Sequence, residues 1–154
     1  MSTEREIEEL AGINAVTDTI IGCAIEVHRQ LGPGLLEQTY ETAMCVELTE
    51  AGVAFERQAA FPVIYKGSQI GEHRADLIVE SAVVVELKSI ERYDPVFMAQ
   101  VLTYLRCTGL RVGLLINFNG PVLRPAFAGS FCREVQMWSS VRCSESSAPQ
   151  WLRT

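Results

Sequence analysis

Lysine is nearly absent from this 154-residue chain. Eleven arginines accompany only Lys66 and Lys88, and nineteen acidic residues leave a formal net charge of -6. Such a chain lacks the broad basic surface that gives proteins non-specific affinity for nucleic acid. Any grip on phosphate must come from a local groove, where arginine can bind bidentately. Cysteine pairs at zinc-site spacing are missing too. Cys23, Cys45, Cys107, Cys132 and Cys143 are scattered, and an odd number without a leader points to free thiols in a reducing compartment, used mainly for packing. The acidic start is unlike a signal or transit peptide, and no run approaches the roughly 20 apolar residues of a membrane helix. The expected location is the cytoplasm, with no membrane partner. Internal repeats and linkers are also lacking, so residues 1–138 are expected to form one domain and the polar segment 139–154 a mobile tail. With 48% hydrophobic and 21% charged residues, the domain belongs to the ordinary globular class.

What is present reads as alternating helix and strand patterns. Val16, Ile20, Ala24, Val27 and Leu31 recur at helical spacing, predicting a helix over Asn14–Leu31 that stops at Gly32-Pro33-Gly34, with Glu26 and His28 as a solvated pair off the stripe. A second helix is expected over Leu35–Ala51, burying Leu36, Tyr40, Met44 and Leu48 and ending at Gly52. Phe61, Val63 and Tyr65 alternate as a strand, with Pro62 demoting it to an edge. Lys66 to Gln69 form a turn into the strand that carries Asp76. Asp94 and Pro95 open a third helix that ends near Gly109. Val112–Phe118 reads as a central strand buried on both faces. One more strand or short helix is expected between Phe127 and Trp138. The sum is a mixed α/β sandwich with the sheet between helices.

The chemistry concentrates in Asp76-Leu-Ile-Val-Glu-Ser-Ala-Val-Val-Val-Glu86-Leu87-Lys88. Glu86 and Lys88 leave the same face of a strand while Leu87 points the other way. Charges within a run of valines are costly unless paired or bound. Parity decides whether Asp76 meets Glu86: a two-residue turn at Glu80 and Ser81 would send them to opposite faces, and an odd loop over Glu80, Ser81 and Ala82 brings them side by side. No glycine marks a tight primed turn there. Two adjacent carboxylates beside a lysine suit a hard divalent ion that also takes substrate oxygens, Mg2+ or Mn2+. The bland alternative is an edge strand with a solvated Glu-Lys pair. His73, three residues before Asp76, has the opposite parity in a regular strand, which argues against a shared metal.

Asp76 followed by Glu86-x-Lys88 resembles the core of the PD-(D/E)XK nuclease superfamily. Val27-His28-Arg29-Gln-Leu-Gly32-Pro33 and Gly34-Leu-Leu-Glu37-Gln-Thr-Tyr40 resemble the signature of its GxxExxY branch, and the match runs from about Ile13 to Asn119. The resemblance implies a restriction-endonuclease-like α/β core, a mixed sheet flanked by helices in the order αβββαβ. It also implies that Glu37 is a helix-borne acid facing Asp76 and Glu86, although Glu37 equally suits the first turn of a helix through the macrodipole. The metal set is then Glu37, Asp76, Glu86 and the Leu87 carbonyl, with Lys88 assisting the attacking water. Gln100 and Tyr104, four apart on one helix face, read locally as a solvated and a core residue. They resemble the Gln-x-x-x-Tyr element of some of these nucleases, which implies contacts to substrate or to the lysine. The expected function is a metal-dependent nuclease on DNA or RNA, directed by a partner or a second copy of the chain. The alternative is a non-catalytic nucleic-acid- or protein-binding module on the same fold.

Overall fold

The computed structural model describes residues 2–129. The elements are α1 (Ser2–Leu31), α2 (Glu37–Glu50), β1 (Phe55–Tyr65), β2 (Ser68–Val79), β3 (Val83–Lys88), α3 (Pro95–Thr108), β4 (Val112–Asn117) and β5 (Arg124–Gly129). The expected tail at 139–154 and anything beyond Gly129 lie outside the described residues. α1 begins well before Asn14. Its first buried apolar residue is Ile13, so the earlier turns carry no apolar stripe to betray them, while Glu4 in the first turn suits the helix dipole.

By length and composition, Thr3–Leu31 is apolar enough to cross a membrane, contrary to the expectation that no segment is. In this fold Ile20, Ile21, Ala24 and Val27 of that helix are core residues packed with the sheet. Leu31 and Leu36, assigned from periodicity to buried stripes, are 43% and 78% exposed. Each lies at a helix end where the chain swings through Gly32-Pro33-Gly34. Glu26 and His28 do not pair with each other. Glu26 binds Arg29 at 2.8 Å, and His28 Nε2 donates to the Gly120 carbonyl at 2.8 Å.

The five strands lie in chain order, β1 to β5, antiparallel except for the parallel β3–β4 pair. A parallel pair needs a crossover, and α3 supplies it. Asp94 caps α3 by accepting from Val96 N–H at 2.9 Å, and Gly109 ends it in the left-handed conformation, φ 73°. β1, which carries Pro62, is an edge strand. β4 is internal and buried on both faces: Leu114 and Ile116 join α1 and α2 in one core, and Leu115 joins α3 in the other. α3 lies so close to the sheet that a Cβ on Gly113 would stand 2.5 Å from Val101 Cγ1. The result is the α/β sandwich of the restriction-endonuclease-like class.

The β2–β3 connection has the odd length that the chemistry required. Val79 opposes Val83 and Leu77 opposes Val85, leaving Glu80, Ser81 and Ala82 as the loop. That register carries Asp76 to Glu86. Glu80 and Ser81 both adopt positive φ, 53° and 52°, and Ala82 N–H donates to the Val79 carbonyl at 3.0 Å, so a primed turn forms without glycine. Glu80 is held there by Ala54, whose carbonyl accepts from Glu80 N–H and whose N–H donates to Glu80 Oε1, both at 2.8 Å.

Candidate active site

β2 does not follow β3 to its end. Leu77 packs toward α1 and α2, whereas Ala75 packs toward α3. Two residues of equal parity on opposite faces mean that the strand turns over at Asp76. The β2–β3 pairing runs only from Val79↔Val83 to Leu77↔Val85. Beyond it the Asp76 carboxylate takes over, with Oδ2 accepting from Leu87 N–H at 2.8 Å. A splayed strand pair and a side chain bridging the fork are what the local backbone offers the site.

Glu86 lies within this fork, 6% exposed, on the same side of β3 as Val84. Its Oε1 is 3.4 Å from Lys88 Nζ, while its Oε2 is buried with no hydrogen-bond partner among the described residues. Burial, and then the neighbouring Asp76 charge, push the Glu86 carboxyl up to about 7 against the pull of Lys88. Asp76 is raised as well, chiefly by burial, with the Leu87 N–H working in the opposite direction. The Lys88 ammonium also lies over the Phe97 ring, 4.8 Å from its centroid, a contact that strengthens when water is excluded.

Tyr104 closes the α3 side. Its ring packs edge-on to Phe61 at 5.3 Å and tilts against His73 at 5.6 Å. Burial, Glu86 and Asp76 together push its hydroxyl up to about 12, so it remains a protonated donor. His73 thus shares the Tyr104 side of the sheet, because the strand irregularity at Asp76 upsets simple parity. Gln100, one turn before Tyr104, is exposed.

The structure therefore brings Asp76, Glu86, the Leu87 backbone, Lys88 and Tyr104 together. Glu37 is placed beside β3 but faces a different group, with Oε1 accepting from Ser89 N–H at 3.3 Å. The acid of α2 whose charge helps to raise Asp76 is Glu41, one turn later. It is 7% exposed, binds Arg57 at 2.8 Å and accepts from Gln58 Nε2 at 3.0 Å. The same Gln58 amide reaches Asp76 Oδ1 at 3.3 Å. Arg57 opposes Leu77 and Ala59 opposes Ala75, so Gln58 faces Asp76, from a left-handed backbone with φ 52°. Sequence reasoning missed both residues. Glu41 lies on the same helical face as Glu37, which was a usable signal; nothing local marks Gln58.

The donor set can be tested against a metal ion. Among the described residues, no three His, Cys, Asp or Glu side chains come close enough together to cage one. An orphaned buried carboxylate oxygen beside a second carboxylate nevertheless calls for a cation or a proton. Two neighbouring carboxylates fit an ion that completes its shell with water and substrate oxygens, as magnesium does, better than one needing a closed protein cage. An open depression of about 500 Å³ lined by Leu31, Leu36, Gln38, Thr39, Thr42, Ala43 and Val46 contains none of these groups.

Residues 14–128 match the family model of the PD-(D/E)XK nuclease superfamily. No curated protein matches the chain. Among solved structures, the crystal structure of SSO0001 is similar to it at 15% sequence identity and a TM-score of 0.47, over 60% of this chain and 48% of that one. The chain thus spans about half the length of that protein.

Proposed function

This chain belongs to the PD-(D/E)XK nuclease superfamily, and on that premise we propose that it is a divalent-metal-dependent phosphodiesterase acting on DNA or RNA, akin to the GxxExxY proteins. The observation that carries this reading is the buried Glu86 Oε2 next to Asp76, which has no hydrogen-bond partner among the described residues. Asp76, Glu86 and the Leu87 carbonyl would hold magnesium or manganese, which when bound supplies a water of lowered pKa and a counter-charge for the phosphate.

The chain's own groups do the rest. Asp76 is oriented by Leu87 N–H and Gln58, so its remaining lone pairs face the fork. Lys88, held between Glu86 and the Phe97 ring, places a donor where charge develops on the non-bridging phosphate oxygens as water attacks and the P–O ester bond breaks. Tyr104, kept protonated, donates to the substrate phosphate, and Gln100 extends the same helix face toward the polymer. The net charge of -6 disfavours unaided binding to a polyanion. Selective delivery in the cell therefore falls to a partner protein or a second copy of the chain, in a reducing compartment such as the cytoplasm, while the purified chain at high concentration still cuts.

The test is cleavage of single- and double-stranded DNA and RNA by the purified chain with Mn2+ or Mg2+. Cutting should stop with chelator and in Asp76→Asn, and Lys88→Ala should lower kcat by roughly 100-fold or more. Cleavage that survives both chelator and Asp76→Asn would refute the proposal, as would its absence from all four substrates.

A further inference from the structure

We propose that Glu37 is a positioning residue, not a metal ligand: the Gly34–Tyr40 segment is a clamp that fixes the backbone immediately after Lys88. The inference rests on the nuclease reading, since it assigns Lys88 the chemistry that the clamp serves.

Five hydrogen bonds converge on Lys88, the last residue of β3, and on the two residues that follow it. The Lys88 carbonyl accepts from Phe118 N–H at 2.9 Å. Ser89 N–H donates to Glu37 Oε1 at 3.3 Å, and Ser89 Oγ donates to the Leu35 carbonyl at 2.6 Å. Ile90 is gripped on both sides by Asn117, which accepts from its N–H at 3.1 Å and donates to its carbonyl at 3.0 Å. The clamp is itself anchored. The Tyr40 hydroxyl donates to the Gly32 carbonyl at 2.6 Å and accepts from Leu35 N–H at 3.2 Å, and its ring stacks on Phe118 at 4.4 Å. Tyr40 is fully buried, so the segment is tied to the core at one end and to Ser89 at the other.

β3 stops pairing with β2 at Val85, so on that side its end has the Asp76 carboxylate at Leu87 N–H in place of a backbone ladder. β4 holds this strand end on one side only, through the Lys88↔Asn117 pairing and the Phe118 bond, whereas catalysis demands that Lys88 be fixed to a fraction of an ångström. Through Glu37 and Leu35 the clamp adds a second restraint at Ser89, next to Lys88. It also gives the glutamate of the motif a use that needs an acceptor oxygen and no charge at all. This separates the two roles, because glutamine keeps the acceptor and loses the charge.

The experiment compares Glu37→Ala with Glu37→Gln in the full chain, read by nuclease kinetics, by Mn2+-dependent thermal stabilisation, and by amide hydrogen exchange over residues 88–90. Glu37→Ala should lower kcat about tenfold with little change in KM, leave the Mn2+ stabilisation intact, and speed exchange at Ser89 and Ile90. Glu37→Gln should restore kcat and slow exchange. Loss of the Mn2+ stabilisation in both variants would make Glu37 a ligand and overturn the proposal. So would unchanged exchange in Glu37→Ala, which is readable even if the wild type cuts nothing. Absence of both cleavage and Mn2+ stabilisation in the wild type would instead sink the nuclease reading.

Discussion

Glu86 is the residue on which the electrostatics turn. Its carboxyl is held up at about 7, against an ordinary 4.5, by burial and by Asp76. Between those values the folded chain binds a proton that the unfolded chain has released, so stability must fall as pH rises through that window; Asp76, also raised, acts in the same direction. In metal-free protein the urea midpoint should therefore drop from about pH 4.5 to about pH 7. Glu86→Gln should remove on the order of 2–3 kcal/mol of that slope. A midpoint that rises over this range, or a slope indifferent to Glu86→Gln, would contradict the assignment. Spacing made the Glu86–Lys88 pair legible in the sequence, because a period of two places both on one face. Gln58 was not legible: its contact with Asp76 depends on a left-handed backbone residue opposite a strand that turns over, and neither leaves a local mark.

At the scale of elements, the β2–β3 hairpin decides whether a site exists. The demand that Asp76 meet Glu86 required an odd loop, and the Val79↔Val83 register provides it. The turn itself was not legible, since Glu80 and Ser81 take positive φ where glycine or asparagine is usual. The two hydrogen bonds to Ala54 hold Glu80 in place, a long-range contact invisible to local reading. Ser81→Gly should relieve backbone strain and raise stability by about 1 kcal/mol without altering the metal response; a fall in melting temperature would show that the left-handed turn is wrong. Glycine is indispensable elsewhere. Gly113→Ala would drive a methyl into Val101 and should cost about 1–3 kcal/mol in chemical denaturation, whereas an unchanged midpoint would mean that α3 can move off the sheet.

Over the whole molecule, the order of helices and strands was legible because each carries its own period: Tyr40, Met44 and Leu48 along α2, and the both-sided burial of β4. What was not legible lies where periodicity is silent, in the early turns of α1 and in the distribution of roles along α2. Glu37 and Glu41 are both acids on one helix face, and only the assembled fold shows that the first holds Ser89 while the second sits behind Gln58 and Asp76. The central proposal is that the half-buried Asp76 carboxylate and the buried Glu86 carboxylate, side by side in the fork between β2 and β3, bind one cation. Thermal unfolding of the full chain with increasing Mn2+, compared with Asp76→Asn, tests that claim most directly. The wild type should be stabilised by about 2–3 kcal/mol at an ion concentration a hundred times the dissociation constant, and Asp76→Asn not at all. Equal responses from the two proteins, or no response from the wild type, would contradict it.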